Sequence, residues 1–160
     1  MERDRNSLYS SVMDQGELEK LKAALKRPFV GLGVIIEKNG LIAIGERLSS
    51  HGAGTFMIPG GHVEFGEKII DAAKREVEEE CGLSDIEMKG IVSVADDIVY
   101  DKHYVGIVFL AQWKSGEFTN PEPEKSRGWH WHDPKNLPQP MFPHSERAIK
   151  NWLAGKIYTQ

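Results

Sequence analysis

The sequence predicts an α/β (α+β) fold with a mixed β-sheet. Several runs rich in β-branched residues are separated by turn signals, which predicts a multi-stranded sheet. Between them, residues 67–81 contain no Gly or Pro and are rich in strong helix formers. The 160 residues suffice for a single packed core, so we expect the sheet and its helices to form one domain.

Local patterns place each element in chain order. A first helix is predicted over 16–26, where leucines recur at spacings of three and four and Pro28 follows. Asn39-Gly40 is a hairpin signal between the first two strands. Gly82 stands where a helix-ending glycine belongs. The predicted strands are 29–36, 41–48, 86–100, 103–113 and 129–132, with a sharp break at 59–61 and a turn at 101–102, and the predicted later helices are 67–81 and 144–153.

Composition excludes several classes of protein. Hydrophobic residues make up 40% and charged residues 28%, as in ordinary globular proteins, and no apolar run is long enough to span a bilayer. The formal net charge of −4 lacks the basic footprint of a nucleic-acid binder, so neither a nucleic acid polymer nor a membrane is an expected partner. Cys81 is the single cysteine, which excludes an intramolecular disulfide and favours a reducing, cytoplasmic location.

One face of the predicted central helix is crowded with acids. At 100° per residue, Glu76, Glu79 and Glu80 fall within an arc of about 100°. Like charges three and four residues apart destabilise a helix, and a divalent cation with oxygen ligands would reverse that cost. The alternative is a solvated acidic face supported by Lys74 and Arg75. The neighbouring stripe predicted to pack on the sheet consists of Ile70, Ala73, Val77 and Cys81.

The wider spacing favours the first of these interpretations. Residues 61–83 read Gly-x5-Glu-x7-Arg-Glu-Val-x-Glu-Glu-x-Gly-Leu, which resembles the Nudix box at every specified position. A chance match is on the order of 10⁻¹⁰ per start position at average residue usage. The resemblance implies a Nudix-type α/β/α sandwich with a mixed β-sheet, and metal-dependent hydrolysis of a nucleoside diphosphate linked to another group.

The same resemblance divides the chain. Residues 29–160 would be the Nudix hydrolase domain, and residues 1–28 an N-terminal extension with one short helix. This extension does not match the family core. We expect it to cap the domain or to contribute to a homodimer contact.

The resemblance also implies roles for the matched residues. The box glutamates would bind Mg²⁺, for which Mn²⁺ can substitute, and either Glu76 or Glu80 would be the general base. A further metal-ligating acid would come from the loop before the last strand, where Glu124 is the candidate with Glu122 behind it; a solvated loop charge is the alternative. The implied metal ligands are Gly60, Glu76, Glu79, Glu80 and Glu124, and the implied catalytic residues are Glu76, Glu80, Glu67, which fixes the geometry, and Arg75, which aims the glutamates.

The stretch 52–67 resembles the MutT-type nucleoside triphosphate diphosphatases, above all those acting on (deoxy)guanosine and thiopurine nucleotides. The implied reaction converts a nucleoside triphosphate, oxidised or modified purine nucleotides included, and water to the monophosphate and pyrophosphate. Arg47 would reach a phosphate, with a surface arginine as the alternative, and core packing is the alternative for Met141 and Phe142. The candidate substrate contacts are Arg47, His62, Ile58, Met141 and Phe142.

Other activities stay open. Tyr100 lies near the position where dinucleoside polyphosphate hydrolases often carry a tyrosine, and a sugar nucleotide is a further alternative substrate. ADP-ribose members tend to carry a proline downstream of the box, and none occurs between Leu83 and Pro121, which counts against that class. A nucleotide-binding regulatory module without activity would usually have lost a metal-binding glutamate, whereas this chain keeps all three.

Overall fold

The computed structural model describes residues 14–99 and 102–159. No helix within them is long and apolar enough to cross a membrane. The turn predicted at 101–102 falls partly outside these residues. In chain order the elements are α1 (Gln15–Leu25), β1 (Phe29–Lys38), β2 (Leu41–Arg47), β3 (Phe56–Met57), β4 (Gly60–His62), α2 (Ile69–Cys81), β5 (Ile86–Val99), β6 (Lys102–Trp113), β7 (Ser126–His132) and α3 (Pro143–Ala154).

The strands form one seven-stranded mixed sheet with β1 at its centre. The order is β3-β2-β1-β6-β5, while β4 pairs with β1 and β7 pairs with β2. The β1–β6 pair is parallel and the other pairs are antiparallel. Strand β1 pairs with β2 only at Glu37 and Lys38, and with β4 across residues 31–33. The segment that leads into the box is therefore placed beside the central strand.

Helices α2 and α3 cover opposite faces of this sheet. Because side chains alternate along a strand, β1 contributes to both cores. Val34 packs in the core under α2, and Ile35 packs in the core under α3. The result is an α/β/α sandwich, as predicted. The buried α2 side chains are Ala72, Ala73, Val77, Glu80 and Cys81, and the buried α3 side chains are Ser145, Ala148, Ile149 and Asn151.

Helix α2 ends as its sequence predicts, but its buried face differs from the predicted one at its first turn. Gly82 takes the left-handed conformation, φ 71°, and donates its N–H to the carbonyl of Glu78. The prediction that Ile70 packs on the sheet is wrong, because this side chain is 39% exposed. Ile70 lies in the first turn of the helix, at the same angular position as the buried Val77 and Cys81 further along, so its exposure reflects its place at the helix end. The buried face also includes Ala72 and Glu80, so it is wider than predicted and takes in part of the acidic arc.

The segment 59–61, which was predicted as a sharp break, lies partly in a short β-strand. Gly60, Gly61 and His62 form β4 and pair in register with residues 33, 32 and 31 of β1. A run of two glycines disfavours a strand on propensity alone. Pairing with the central strand overrides that preference, and it fixes the backbone next to α2.

Candidate active site

The glycine turn and α2 meet at two glutamates. The backbone N–H of Gly60 donates to Glu80 Oε2 at 2.8 Å. A Cβ atom at Gly61 would overlap the carboxylate of Glu76, so only a residue without a side chain allows this approach. The two box carboxylates therefore rest directly on the backbone of β4.

Arg75 organises the remaining acids of the box. Its Nε and Nη2 donate to the two carboxylate oxygens of Glu67 at 2.9 and 3.0 Å. Its Nη1 donates to Glu76 Oε1 at 2.7 Å and to Glu79 Oε2 at 3.1 Å. Nη2 also donates to the carbonyl of His62 at 3.1 Å. One guanidinium thus joins three carboxylates to β4, and the aiming role that the resemblance implies for Arg75 stays a prediction.

Arg75 keeps its main partner, Glu67, in the ionised form. The bond from Arg75 lowers the pKa of Glu67, and the bond to Glu67 is the largest cause that raises the pKa of Arg75. Both groups therefore stay charged at neutral pH. Glu67 also accepts the N–H of Glu64 at 3.1 Å, which fixes its carboxylate from a second side.

Glu80 has the most perturbed carboxyl group of the site. It is only 5% exposed, and burial is the main cause that raises its pKa to about 7. The negative charges of Glu76 and Glu122 raise it further, while the N–H of Gly60 and the charge of Arg47 oppose the shift. A carboxyl group that titrates near neutral pH is suited to accept a proton from water.

Glu76 is perturbed in the same direction. Burial raises its pKa, the hydrogen bond and charge of Arg75 lower it, and the charge of Glu79 raises it again. Glu76 and Glu80 therefore occupy a site where negative charge is costly. A cation placed between them would lower that cost.

The raised pKa of Glu80 predicts how the stability of the metal-free protein depends on pH. An ordinary glutamate titrates at 4.5, so between 4.5 and about 7 the folded protein keeps a proton that the unfolded chain has released. The free energy of unfolding should therefore fall as pH rises through that window. Glu80→Gln removes this titration, and we expect it to stabilise the protein by roughly 3 kcal/mol more at pH 8 than at pH 4.5.

Urea denaturation in EDTA at both pH values measures this difference. The exposed neighbour Glu78, changed to Gln, is the control and should leave the pH dependence unchanged. Equal pH dependence in the wild type and Glu80→Gln would contradict the assignment of Glu80 as the group that titrates near 7.

The loop before β7 also brings an acid toward the site. Glu122 Oε1 accepts a hydrogen bond from Lys125 Nζ at 2.6 Å, and its Oε2 is buried without a hydrogen-bond partner among the described residues. Its charge acts on Glu80. Glu124 is exposed, and its predicted metal role stays a prediction. The structure therefore favours Glu122, the second choice of the sequence analysis, as the acid that this loop adds.

The oxygen atoms of the site are chemically suited to bind a hard divalent cation. Carboxylate oxygens are the ligands that Mg²⁺ prefers, and Glu122 offers a buried oxygen that no donor among the described residues satisfies. Within residues 14–99 and 102–159, no group of three His, Cys, Asp or Glu side chains converges as a metal site. Arg75 instead binds Glu76 and Glu79, and Gly60 binds Glu80.

Arg47 lies within the electrostatic reach of the box. Its Nε donates to the carbonyl of His51, its Nη1 lies 3.6 Å from Met57 Sδ, and its guanidinium lies 4.9 Å from the ring centre of Phe142. Burial lowers its pKa, and the charge of Glu80 raises it. A half-buried cation beside the acids is a suitable phosphate contact, and this role stays a prediction.

The apolar slot predicted for the base is not assembled. Ile58 and Met141 are 4% and 6% exposed and belong to the core under α3, so neither offers a face to a ligand. Phe142 packs against the core on the other face of the sheet. The side chains of the consecutive residues Met141 and Phe142 point to opposite faces of the sheet. Core packing, which was the alternative interpretation of both residues, therefore describes their placement better than contact with a base.

His62 instead joins rings that the sequence analysis did not single out. Its ring centre lies 5.7 Å from that of Tyr104 and 6.4 Å from that of Phe29, and the Phe29 and Tyr104 centres lie 5.6 Å apart. We call Phe29, His62 and Tyr104 the aromatic cluster. Its members come from β1, β4 and β6, so only strand pairing brings them together.

The chain matches a family model and curated proteins. Residues 26–153 match the model of the NUDIX domain. Over 147 residues the chain is 32% identical to an ADP-ribose pyrophosphatase of Methanocaldococcus jannaschii, which covers 91% of this chain and 84% of that protein. It is 29% identical over 156 residues to an RNA pyrophosphohydrolase of Mesorhizobium japonicum, covering 81% and 88%. It is 34% identical over 92 residues to an 8-oxo-dGTP diphosphatase of Proteus vulgaris, covering 56% and 81%.

Solved structures agree with this family. A MutT NUDIX hydrolase from Burkholderia pseudomallei matches with a TM-score of 0.70 and 32% identity, over 78% of this chain and 98% of that chain. A NUDIX hydrolase from Nitrosomonas europaea matches with a TM-score of 0.70 and 26% identity, over 82% and 93%. With the box acids gathered on the glycine turn and the matches spanning the domain, the chain belongs to the NUDIX family and is a hydrolase that acts on pyrophosphate bonds.

Proposed function

We propose that this hydrolase is Mg²⁺-dependent and cleaves nucleoside triphosphates, oxidised or modified purine nucleotides included, to the monophosphate and pyrophosphate. The observation that carries the proposal is the carboxylate array that Arg75 and Gly60 hold at the glycine turn. Within it, Glu80 combines deep burial with a pKa near neutrality. Such a group suits the activation of water next to charged phosphates.

The box residues have separate tasks in this reaction. A bound Mg²⁺ would neutralise charge on the phosphoryl oxygens and ease the deprotonation of water. Glu76, Glu79, Glu80 and the Gly60 carbonyl would hold it, with Glu122 as the further acid. Arg75 keeps the glutamates aimed through its bonds to Glu67 and β4.

Proton transfer and phosphate binding fall to two further groups. Glu80 is the better placed of the two candidate bases, because it is the more deeply buried of the two, and in the metal-free protein this burial raises its pKa to about 7. Arg47 would bind a phosphate oxygen, since its guanidinium is partly desolvated and lies within reach of the charge on Glu80.

Sequence similarity supports triphosphates as the first choice of substrate. Residues 52–67 resemble the MutT-type enzymes, and the Proteus vulgaris relative is named for 8-oxo-dGTP. ADP-ribose is the second candidate, because the Methanocaldococcus jannaschii relative, named for ADP-ribose, aligns with 91% of this chain. The missing proline between Leu83 and Pro121 argues against ADP-ribose. Tyr100, the residue that suggested dinucleoside polyphosphates, lies outside the described residues.

A substrate panel tests the proposal. Purified protein is assayed with GTP, dGTP, 8-oxo-dGTP, ATP, ADP-ribose, diadenosine tetraphosphate, a UDP-sugar and a 5′-triphosphorylated RNA, each with Mg²⁺, with Mn²⁺ and with EDTA. We expect the highest kcat/KM for a purine triphosphate, with pyrophosphate as the product and no turnover in EDTA. Release of orthophosphate alone, or a higher kcat/KM for ADP-ribose, would contradict the triphosphate assignment.

A further inference from the structure

One lysine reaches the acidic site from outside the box, and the chemistry described so far gives it no role. Lys125 directly precedes β7, and its Nζ donates to Glu122 Oε1 at 2.6 Å. Its charge also interacts with Glu76 and Glu79 of α2. We propose that Lys125 is an exchangeable counter-ion, which pairs with Glu122 in the metal-free protein and moves to a phosphate oxygen of the substrate when Glu122 binds a divalent cation.

The backbone around Lys125 fixes where its ammonium can act. The Lys125 N–H donates to the carbonyl of Glu122 at 3.0 Å, so a single turn of the loop brings the two side chains together. The Lys125 carbonyl accepts the N–H of Leu48 at 2.9 Å. Leu48 directly follows Arg47, the last residue of β2 and the other cation near the box. The backbone therefore holds Lys125 at the edge of the acidic site, while its long side chain can rotate.

Electrostatic interactions place the charge of Lys125 among the acids. The hydrogen bond to Glu122 is the largest cause that raises the pKa of Lys125, and the charges of Glu76 and Glu79 raise it further. Burial raises the pKa of Glu76, and the charge of Lys125 is among the effects that lower it. Lys125 therefore stays protonated at neutral pH, and in the metal-free protein it offsets part of the negative charge of the site.

Arg75 also pairs with the box acids, but its contacts hold it in place. Its guanidinium donates five hydrogen bonds to three carboxylates and one carbonyl, and its side chain is 27% exposed. Lys125 Nζ makes one hydrogen bond within the described residues, and its side chain is 53% exposed. An exposed ion pair with a single contact contributes little net free energy, because water solvates both groups. Lys125 is therefore the cation that can change partners at low cost.

Glu122 presents its two carboxylate oxygens to different surroundings. Oε1 accepts the bond from Lys125, whereas Oε2 is buried without a hydrogen-bond partner among the described residues. Burial is the main cause that raises the pKa of Glu80, and the charge of Glu122 adds to it, which places this carboxylate beside the box. If Oε2 binds a cation, the ammonium on Oε1 meets a second positive charge on the same carboxylate. Cation binding by Glu122 and its pairing with Lys125 therefore compete.

The phosphates of a nucleotide remove this competition. Their oxygens are negatively charged and accept hydrogen bonds from an ammonium group, so Lys125 exchanges one anionic partner for another. Glu122 is then left for the cation. Binding of the cation and binding of the phosphates thus favour each other, which is a coupling between two ligands of one site. The inference rests on the proposed function for the phosphates of the ligand.

Metal binding without nucleotide tests the first half of the exchange. Electron paramagnetic resonance measures free Mn²⁺ during titration of the full chain. For Lys125→Met, which keeps the length of the side chain without its charge, we expect the Kd of Mn²⁺ to fall about fivefold, because no ammonium competes for Glu122. Lys125→Arg keeps the charge and should bind Mn²⁺ as the wild type does.

Steady-state kinetics with the best substrate of the panel tests the second half. At saturating Mg²⁺, Lys125→Met should raise KM about tenfold, as for the loss of one charge-assisted contact, and should keep kcat within about threefold. Lys125→Arg should recover most of the loss, because a guanidinium also binds phosphate. A merely structural role would not separate KM from kcat, nor would it tighten Mn²⁺ binding.

A lysine on β5 offers a matched control. Lys89 Nζ lies 2.6 Å from Glu87 Oε1, the same distance as in the Lys125 pair, and its side chain is 43% exposed. Lys89→Met should leave both the Kd of Mn²⁺ and KM unchanged. The inference is overturned if Lys125→Met binds Mn²⁺ with the wild-type Kd, or if its KM equals that of the wild type.

Further outcomes separate this inference from the proposed function. Hydrolysis of triphosphates by the wild type, together with an unchanged Mn²⁺ affinity in Lys125→Met, overturns only the inference. If ADP-ribose is the best substrate and Lys125→Met shows both expected shifts with it, the triphosphate assignment is overturned and the role of Lys125 is kept. A wild type that binds no Mn²⁺ overturns the metal dependence and the inference together.

Discussion

Glu76→Gln is expected to lower kcat about 10³-fold with little change in stability. The amide keeps the volume that rests on Gly61, so the contact with β4 survives. It removes the negative charge that we propose as a metal ligand, and such a ligand supports a stabilisation of several kcal/mol in the transition state. Loss of charge without loss of shape thus isolates the chemical role.

The measurement is kcat for the best substrate of the panel at saturating Mg²⁺, together with the Mg²⁺ concentration needed for half-maximal rate. Glu78→Gln on the exposed face of α2 is the matched control and should retain the wild-type kcat. Near-full turnover of Glu76→Gln would show that this carboxylate is not a metal ligand. Thermal denaturation of both variants checks that the fold is intact.

Arg75→Lys is the second change for which we expect a large effect, a fall in kcat/KM of about 10²-fold. Arg75 donates to Glu67 twice and to Glu76, Glu79 and the carbonyl of His62 once each. A lysine keeps the charge but has one nitrogen, so it cannot make these bonds together. The glutamate side chains are then no longer held in position, and a displacement of about 1 Å can lower the rate 10²-fold.

The measurement is kcat/KM for Arg75→Lys and for the reciprocal control Lys74→Arg, which tests whether the geometry of the guanidinium is needed. Lys74 is the exposed neighbour of Arg75, so its exchange should leave kcat/KM within about twofold. An Arg75→Lys variant with wild-type kcat/KM would mean that a single positive charge suffices and that the fork geometry has no role.

Local patterns predicted what short-range interactions determine. The helix around the box, its end at Gly82 and the position of Glu76, Glu79 and Glu80 on that helix follow from residues within a few turns of one another. Five of the seven strands were predicted for the same reason, although β7 begins at Ser126 rather than Trp129, and the short strands β3 and β4 were not predicted. The burial of Ile70 was wrongly predicted because helical spacing alone does not determine how far along the helix the packed face extends.

Long-range contacts decided the rest of the site. Glu122 and Glu124 are equivalent in sequence, and only the path of the loop buries an oxygen of Glu122. Ile58 and Met141 were predicted to line the base pocket but lie in the core. They are buried because β4 pairs with β1 and α3 packs over this face of the sheet.

The sequence by itself determined the family, the fold class and the acids of the box, because these depend on spacing within one contiguous segment. The tertiary structure decided which groups surround those acids. Lys125 comes from the loop before β7, far along the chain from Glu76 and Glu79 on α2, and the aromatic cluster comes from three strands. No local pattern encodes such proximity, since it arises only when strand pairing and helix packing bring distant backbone segments together.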